Sequence, residues 1–123
     1  MKICPSWFLK GLLLILLLTG PWPAWSGESA YTFQKNVMIP MRDGVELAAN
    51  IFLPTGDGPF PAILIRSPYG KSDEKNGDGI KYAGAGYVMV IQDCRGKGDS
   101  KGTWDPFRYD PQDGYDTQDW ISK

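Results

Sequence analysis

The chain has 123 residues, enough for one domain at most. Hydrophobic residues make up 42% and charged residues 22%, and the formal net charge is -1 with no basic run; a disordered chain and a nucleic-acid binder are both excluded. Histidine is absent, so this sequence by itself cannot build a Ser-His-Asp relay, in which an imidazole takes the serine proton and returns it.

The first segment carries Lys2 and Lys10, followed by the uncharged apolar run Gly11–Thr19. Pro21 and Pro23 break any helix, and Ala24-Trp25-Ser26 offers small residues for cleavage. This is the layout of a signal peptide spanning residues 1–26. The apolar run falls short of the roughly 20 residues that a crossing helix needs. Residues 27–123 are therefore expected to be exported, meeting a membrane only during export. Cys4 leaves with the signal, and Cys94, closing an apolar run, is expected as a small buried core residue and not a reactive thiol.

Along the exported chain, Val37–Pro40 predicts a short strand, Met41–Gly44 an Asp-Gly turn, and Val45–Leu53 an alternating return strand, together a hairpin. A loop over 55–59 leads to Ala62–Ile65, a continuous apolar run that predicts a strand buried on both faces. Ser67–Gly79 is polar and predicts an exposed loop, and Ile80–Ala85 a short helix ended by Gly86. Tyr87–Ile91 predicts a second buried strand. A glycine-rich loop over Arg95–Gly102 follows. Asp113–Ile121 then predicts an amphipathic helix with Tyr115, Gln118 or Asp119, and Ile121 near one face. The fold class is α/β, an antiparallel hairpin leading into a parallel βαβ unit. The domain is expected to be incomplete, with an exposed sheet edge, no covering layer on one side, and a last helix that should lead into a third parallel strand.

Several stretches imitate functional motifs. Gly98-Asp99-Ser100-Lys101-Gly102 fits G-x-S-x-G, but a nucleophile elbow needs a strand running straight into the serine and a helix leaving it. Here Cys94–Gly98 separates the strand from Ser100, and Thr103–Pro106 follows with a proline. The expectation is a glycine-rich turn with an exposed serine, and Ser100 is not the nucleophile. Gly70-Lys71-Ser72 resembles the end of a phosphate-binding loop, yet Ile65 stands where its first glycine belongs and Pro68 removes an amide. Gly96–Gly102 misses the dinucleotide fingerprint, its third glycine one position late. The acidic residues from Asp110 to Asp119, and Asp73-Glu74, do not match EF-hand spacing and are expected as solvated loop faces.

Four segments in order carry a specific resemblance: IPMRDGVELAANIFLP, PAILIRSPYGK, YAGAGYVMVIQDCRGKGDSKGTWDPF and DGYDTQDWI. From Val37 to Ile121 the chain resembles the N-terminal part of the CocE/NonD hydrolases, the family of X-Pro dipeptidyl-peptidases, cocaine esterase and related acylases. The resemblance implies the N-terminal segment of an α/β-hydrolase catalytic domain over residues 27–123, truncated before the nucleophile elbow. It implies a serine hydrolase that cleaves small ester, amide or peptide substrates through an acyl-enzyme, without cofactor or metal. It also assigns Tyr69, in Ser67-Pro68-Tyr69-Gly70-Lys71, as the phenol that supplies half of the oxyanion hole. Pro68 would stiffen the turn that holds it. Nucleophile, acid and histidine have no counterpart in the chain, so the 123 residues alone are expected to be inactive. A reading from another class stands beside this one: a small exported, non-catalytic binding module presenting Trp104, Tyr109, Tyr115 and Trp120 to a sugar or protein.

Overall fold

The computed structural model describes residues 30–123. The expected signal peptide lies outside the described residues. The chain runs β1 (Tyr31–Pro40), β2 (Glu46–Pro54), β3 (Ala62–Ser67), α1 (Gly77–Gly84), β4 (Val88–Asp93) and α2 (Asp110–Ile121). The four strands form one sheet in the order β1-β2-β4-β3. β1 and β2 make the antiparallel hairpin, β2 and β4 are also antiparallel, and β3 and β4 are parallel. The crossover through α1 thus inserts β4 between the hairpin and β3, and the unit is the expected mixed α/β sheet.

The period-2 alternation of a strand explains how two cores form on one sheet. Along β2, Leu47, Ala49 and Ile51 point to one face, where they pack with Ile39, Met41 and Val90, and Ile121 of α2 joins them. Phe52 points to the other face and packs with Met89, Ile91 and Ala83 of α1. α1 starts where the Asn76 side chain accepts the Gly79 N–H at 2.7 Å. Its Gly79 lies flat on the Phe52 ring, so closely that a Cβ there would overlap the ring. α2 starts without a side-chain cap; Pro111 sits in its first turn, where no amide is missed, and Asp110 and Asp113 face its positive end.

The elements agree with the sequence in type; β1 and α1 begin earlier than predicted, so that α1 takes Gly77–Gly79 from the expected exposed loop, β2 and β4 begin one residue later, and further expectations are corrected. β3 is an edge strand, and Ile65 is 41% exposed instead of buried on both faces; an apolar run registers hydrophobicity, whereas position in the sheet decides how many faces are covered. Helix α2 buries Asp113 and Thr117, four residues apart, while Tyr115 is exposed; polar groups form its inner stripe because arginines and Gln92 meet them there. Ser100 is buried, not exposed. Both faces of the sheet carry a helix. On the α2 side, coverage is partial and leaves an apolar groove of about 820 Å3 lined by residues including Ile51, Leu53, Leu64, Val88 and Trp120.

Candidate active site

The parallel pair β3 and β4 ends at Ser67 and Asp93, which are register partners. Two loops leave the sheet side by side at that point. Active-site groups of open α/β sheets gather at such carboxyl ends, because helices and loops there leave a crevice.

The β3 loop carries Tyr69, whose side chain is 97% exposed. Its phenol is unengaged within the described residues, but the backbone beneath it is held at several points. The Tyr69 N–H donates to Ser67 Oγ at 3.1 Å, and the Ser67 carbonyl accepts the Cys94 N–H at 3.0 Å. Further along, Lys71 donates its backbone N–H to Asp93 Oδ1, and its ammonium donates to Asp93 Oδ2 at 2.8 Å and to Asp99 Oδ2 at 2.6 Å. Burial works against the Lys71 charge, but the two carboxylates outweigh it and hold its pKa above the ordinary 10.5. Ser72 is tied down as well. Its carbonyl accepts from Asn50 Nδ2 at 2.6 Å, and Asn50 Oδ1 accepts the N–H of Asn36, the positive-φ residue where the β1–β2 register shifts.

The β4 loop carries Ser100, and here the hydroxyl is spent. Ser100 Oγ donates to the Asp93 carbonyl at 2.8 Å and accepts the Ala48 N–H at 2.9 Å. The group cross-links this loop to the outer hairpin, and both its donor and an acceptor lone pair are committed to backbone. The glycines around it serve the same fit. Gly98 has φ +52 and lies against the Asp93 carboxylate so closely that any Cβ would overlap it.

A buried charge network anchors α2 under both loops. Asp113, wholly buried, accepts from Arg95 Nη2 at 2.6 Å and from Nε at 3.0 Å, and lies 3.6 Å from Arg66 Nη2. Arg95 also meets Asp43 at 2.7 Å, which holds the Asp43 carboxyl below its ordinary range. The acidic run in α2 is therefore in part structural, which corrects the expectation of solvated faces: Asp113 was placed by its helix against two arginines that sequence spacing does not pair. Gln92 completes the contact, donating to Thr117 Oγ1 at 3.0 Å.

Three of the rings considered for a binding face are engaged within the chain. Arg95 lies over Tyr109 at 4.7 Å, Lys97 over Trp104 at 4.8 Å, and Arg42 over Tyr115 at 5.6 Å. Cys94 is buried, and burial pushes its thiol above the ordinary range, as suits a core residue. The groups that sequence reasoning passed over are Lys71, Asp93, Asp99 and Asn50. Asp93 left a trace: a carboxylate at the end of an otherwise apolar buried strand must find partners.

A hairpin, a parallel strand pair and loops meeting at its carboxyl end define the α/β-hydrolase arrangement. Residues 43–123 match the family model of X-Pro dipeptidyl-peptidase (S15 family), and the chain belongs to that family of hydrolases. It is 42% identical over 99 residues to cocaine esterase of Rhodococcus sp. (strain MB1 Bresler), a match covering 76% of this chain and 17% of the esterase. Among solved structures it is similar to an α-amino acid ester hydrolase (32% identity, TM-score 0.64, covering 85% of this chain and 21% of that one). It is also similar to a CocE/NonD family hydrolase from Staphylococcus aureus (28% identity, TM-score 0.65, covering 73% and 20%). The chain thus spans about a fifth of the length of these relatives.

Proposed function

We propose that the chain is the N-terminal segment of an exported serine hydrolase of the X-Pro dipeptidyl-peptidase/CocE type, acting on ester, amide or peptide bonds through an acyl-enzyme. In this reading its part in catalysis is Tyr69, whose phenol donates to the oxygen of the tetrahedral intermediate. The observation that carries the assignment is the contrast between a fully exposed, unspent phenol and the fastened backbone beneath it, at the carboxyl end of a parallel strand pair. A donor whose backbone is already held needs less reorganisation to meet developing charge. Nucleophile, acid and histidine would come from polypeptide beyond these 123 residues, so the chain alone should not hydrolyse an activated ester above buffer.

The test is Tyr69→Phe in the longer polypeptide that carries the nucleophile. The phenol bonds the oxyanion more strongly than the ground-state carbonyl, so kcat should fall by on the order of 10²–10³ with KM little changed. Unchanged kcat would refute the assignment. N-terminal sequencing of the secreted protein tests export: the mature chain should begin at Gly27, and a chain retained in membrane from Met1 would contradict it.

A further inference from the structure

The Tyr69 side chain makes no contact that could aim it, since it is 97% exposed. What the fold can hold is its backbone, which lies between Ser67, whose Oγ accepts the Tyr69 N–H, and Lys71, two residues on and bonded to Asp93. Resting on the oxyanion-hole reading of Tyr69, we infer that the Lys71–Asp93 ion pair is the positioning device for that phenol, with Asp99 as its outer arm.

The geometry supports a device more than a surface ion pair. Asp93 is wholly buried at the end of β4, the one strand hydrogen-bonded on both sides to described strands that also ends beside Ser67. Its carboxylate accepts three hydrogen bonds, two from Lys71 and one from the Asp99 N–H at 3.0 Å, and Gly98 beside it leaves no room for a Cβ. Oδ1 holds the Lys71 backbone while Oδ2 holds the Lys71 ammonium, so one rigid group grips the same residue at both ends. The Lys71 side chain is 6% exposed and that of Asp99 60% exposed, so solvent screens the outer pair more than the inner one. Fixing Lys71 at one end of the turn, and Tyr69 N–H on Ser67 Oγ at the other, leaves the phenol-bearing residue little freedom. Misplacing a reacting or stabilising group by about 1 Å can cost on the order of a hundredfold in rate. Lys71 and Asp93 touch no substrate in this scheme; they act through Tyr69.

The experiment is a double-mutant cycle in the longer polypeptide, pairing Lys71→Met with Tyr69→Phe. Lys71→Met should lower kcat by about ten- to a hundredfold with KM little changed, and Lys71→Arg should restore much of the loss. In the Tyr69→Phe background, Lys71→Met should have little further effect on kcat, because no phenol remains to misplace. An equal kcat loss in both backgrounds, or none in either, overturns the inference. Tyr69→Phe leaving kcat intact is a separate result, seen in the single variant, that overturns the oxyanion-hole reading and the clamp with it. Asp93 is buried and its replacement can prevent folding, so Asp99→Asn serves as the second variant. It removes only the exposed arm and should fold normally, with a smaller kcat loss that again vanishes without the phenol; a loss that persists there counts against the inference.

Discussion

The loops after β3 and β4 leave the sheet from neighbouring residues and treat their hydroxyls in opposite ways. Ser100 spends its hydroxyl on two backbone partners, Ala48 and Asp93, and is buried. Tyr69 spends only its backbone and keeps its phenol free. A group that stabilises a transition state must arrive with unused hydrogen-bonding capacity, whereas a group that holds a fold must have none left. The G-x-S-x-G match and the tyrosine turn are distinguished by that accounting and not by their letters.

The largest expected effect tests what lies beneath both loops. Asp113→Ala removes the buried carboxylate shared by Arg95 and Arg66 and leaves them only the more exposed Asp43 and Asp110, which should destabilise the fold by up to about 3–5 kcal/mol. Chemical denaturation would show a lower midpoint, and an unchanged midpoint would mean that the network is ornamental. Next comes a crossed comparison. Ser100→Ala leaves the buried Ala48 N–H without its acceptor and should cost roughly 1–3 kcal/mol in stability with little change in kcat. Tyr69→Phe should do the reverse, losing turnover while the melting temperature holds. If Ser100→Ala abolished activity while Tyr69→Phe did not, the roles of the two loops would be exchanged.

The 123-residue chain alone sharpens the contrast further. With the groove beside Leu53 and Leu64 uncovered and β3 at a sheet edge, it should associate and melt broadly. A monodisperse monomer with a sharp two-state melt would contradict this. The smallest effect is on acid stability. Asp99, Asp43 and Asp116 are held below the ordinary carboxyl value of 3.8 by Lys71, Arg95 and Arg42 respectively. Folded-state pKa values below unfolded ones contribute stability above about pH 4, and that contribution is lost as pH falls through the depressed values. Melting temperature should therefore be flat from neutral pH to about 4 and decline below it. Asp99→Asn should reduce the decline.

Local sequence was enough for much of this molecule. The Asp-Gly turn, the apolar run of β4 and the burial of Cys94 follow from side-chain chemistry, and each stands as the sequence implied; the alternation of β2 implied one covered face, whereas Leu47–Phe52 is buried throughout because cores form on both faces of the sheet. The inadequacy of GDSKG as a nucleophile elbow also follows from the residues around it. What sequence could not decide is pairing across distance. Whether β3 lies at an edge, whether Asp113 faces water or Arg95, and whether Ser100 is open or spent depend on which segments the crossover brings together. Lys71 and Asp93 are 22 positions apart and Arg95 and Asp43 are 52 apart; no local preference links them. Hydrophobic period selects elements because burial acts residue by residue, while buried charges and hydroxyls take their meaning from a partner, and only the tertiary structure supplies the partner.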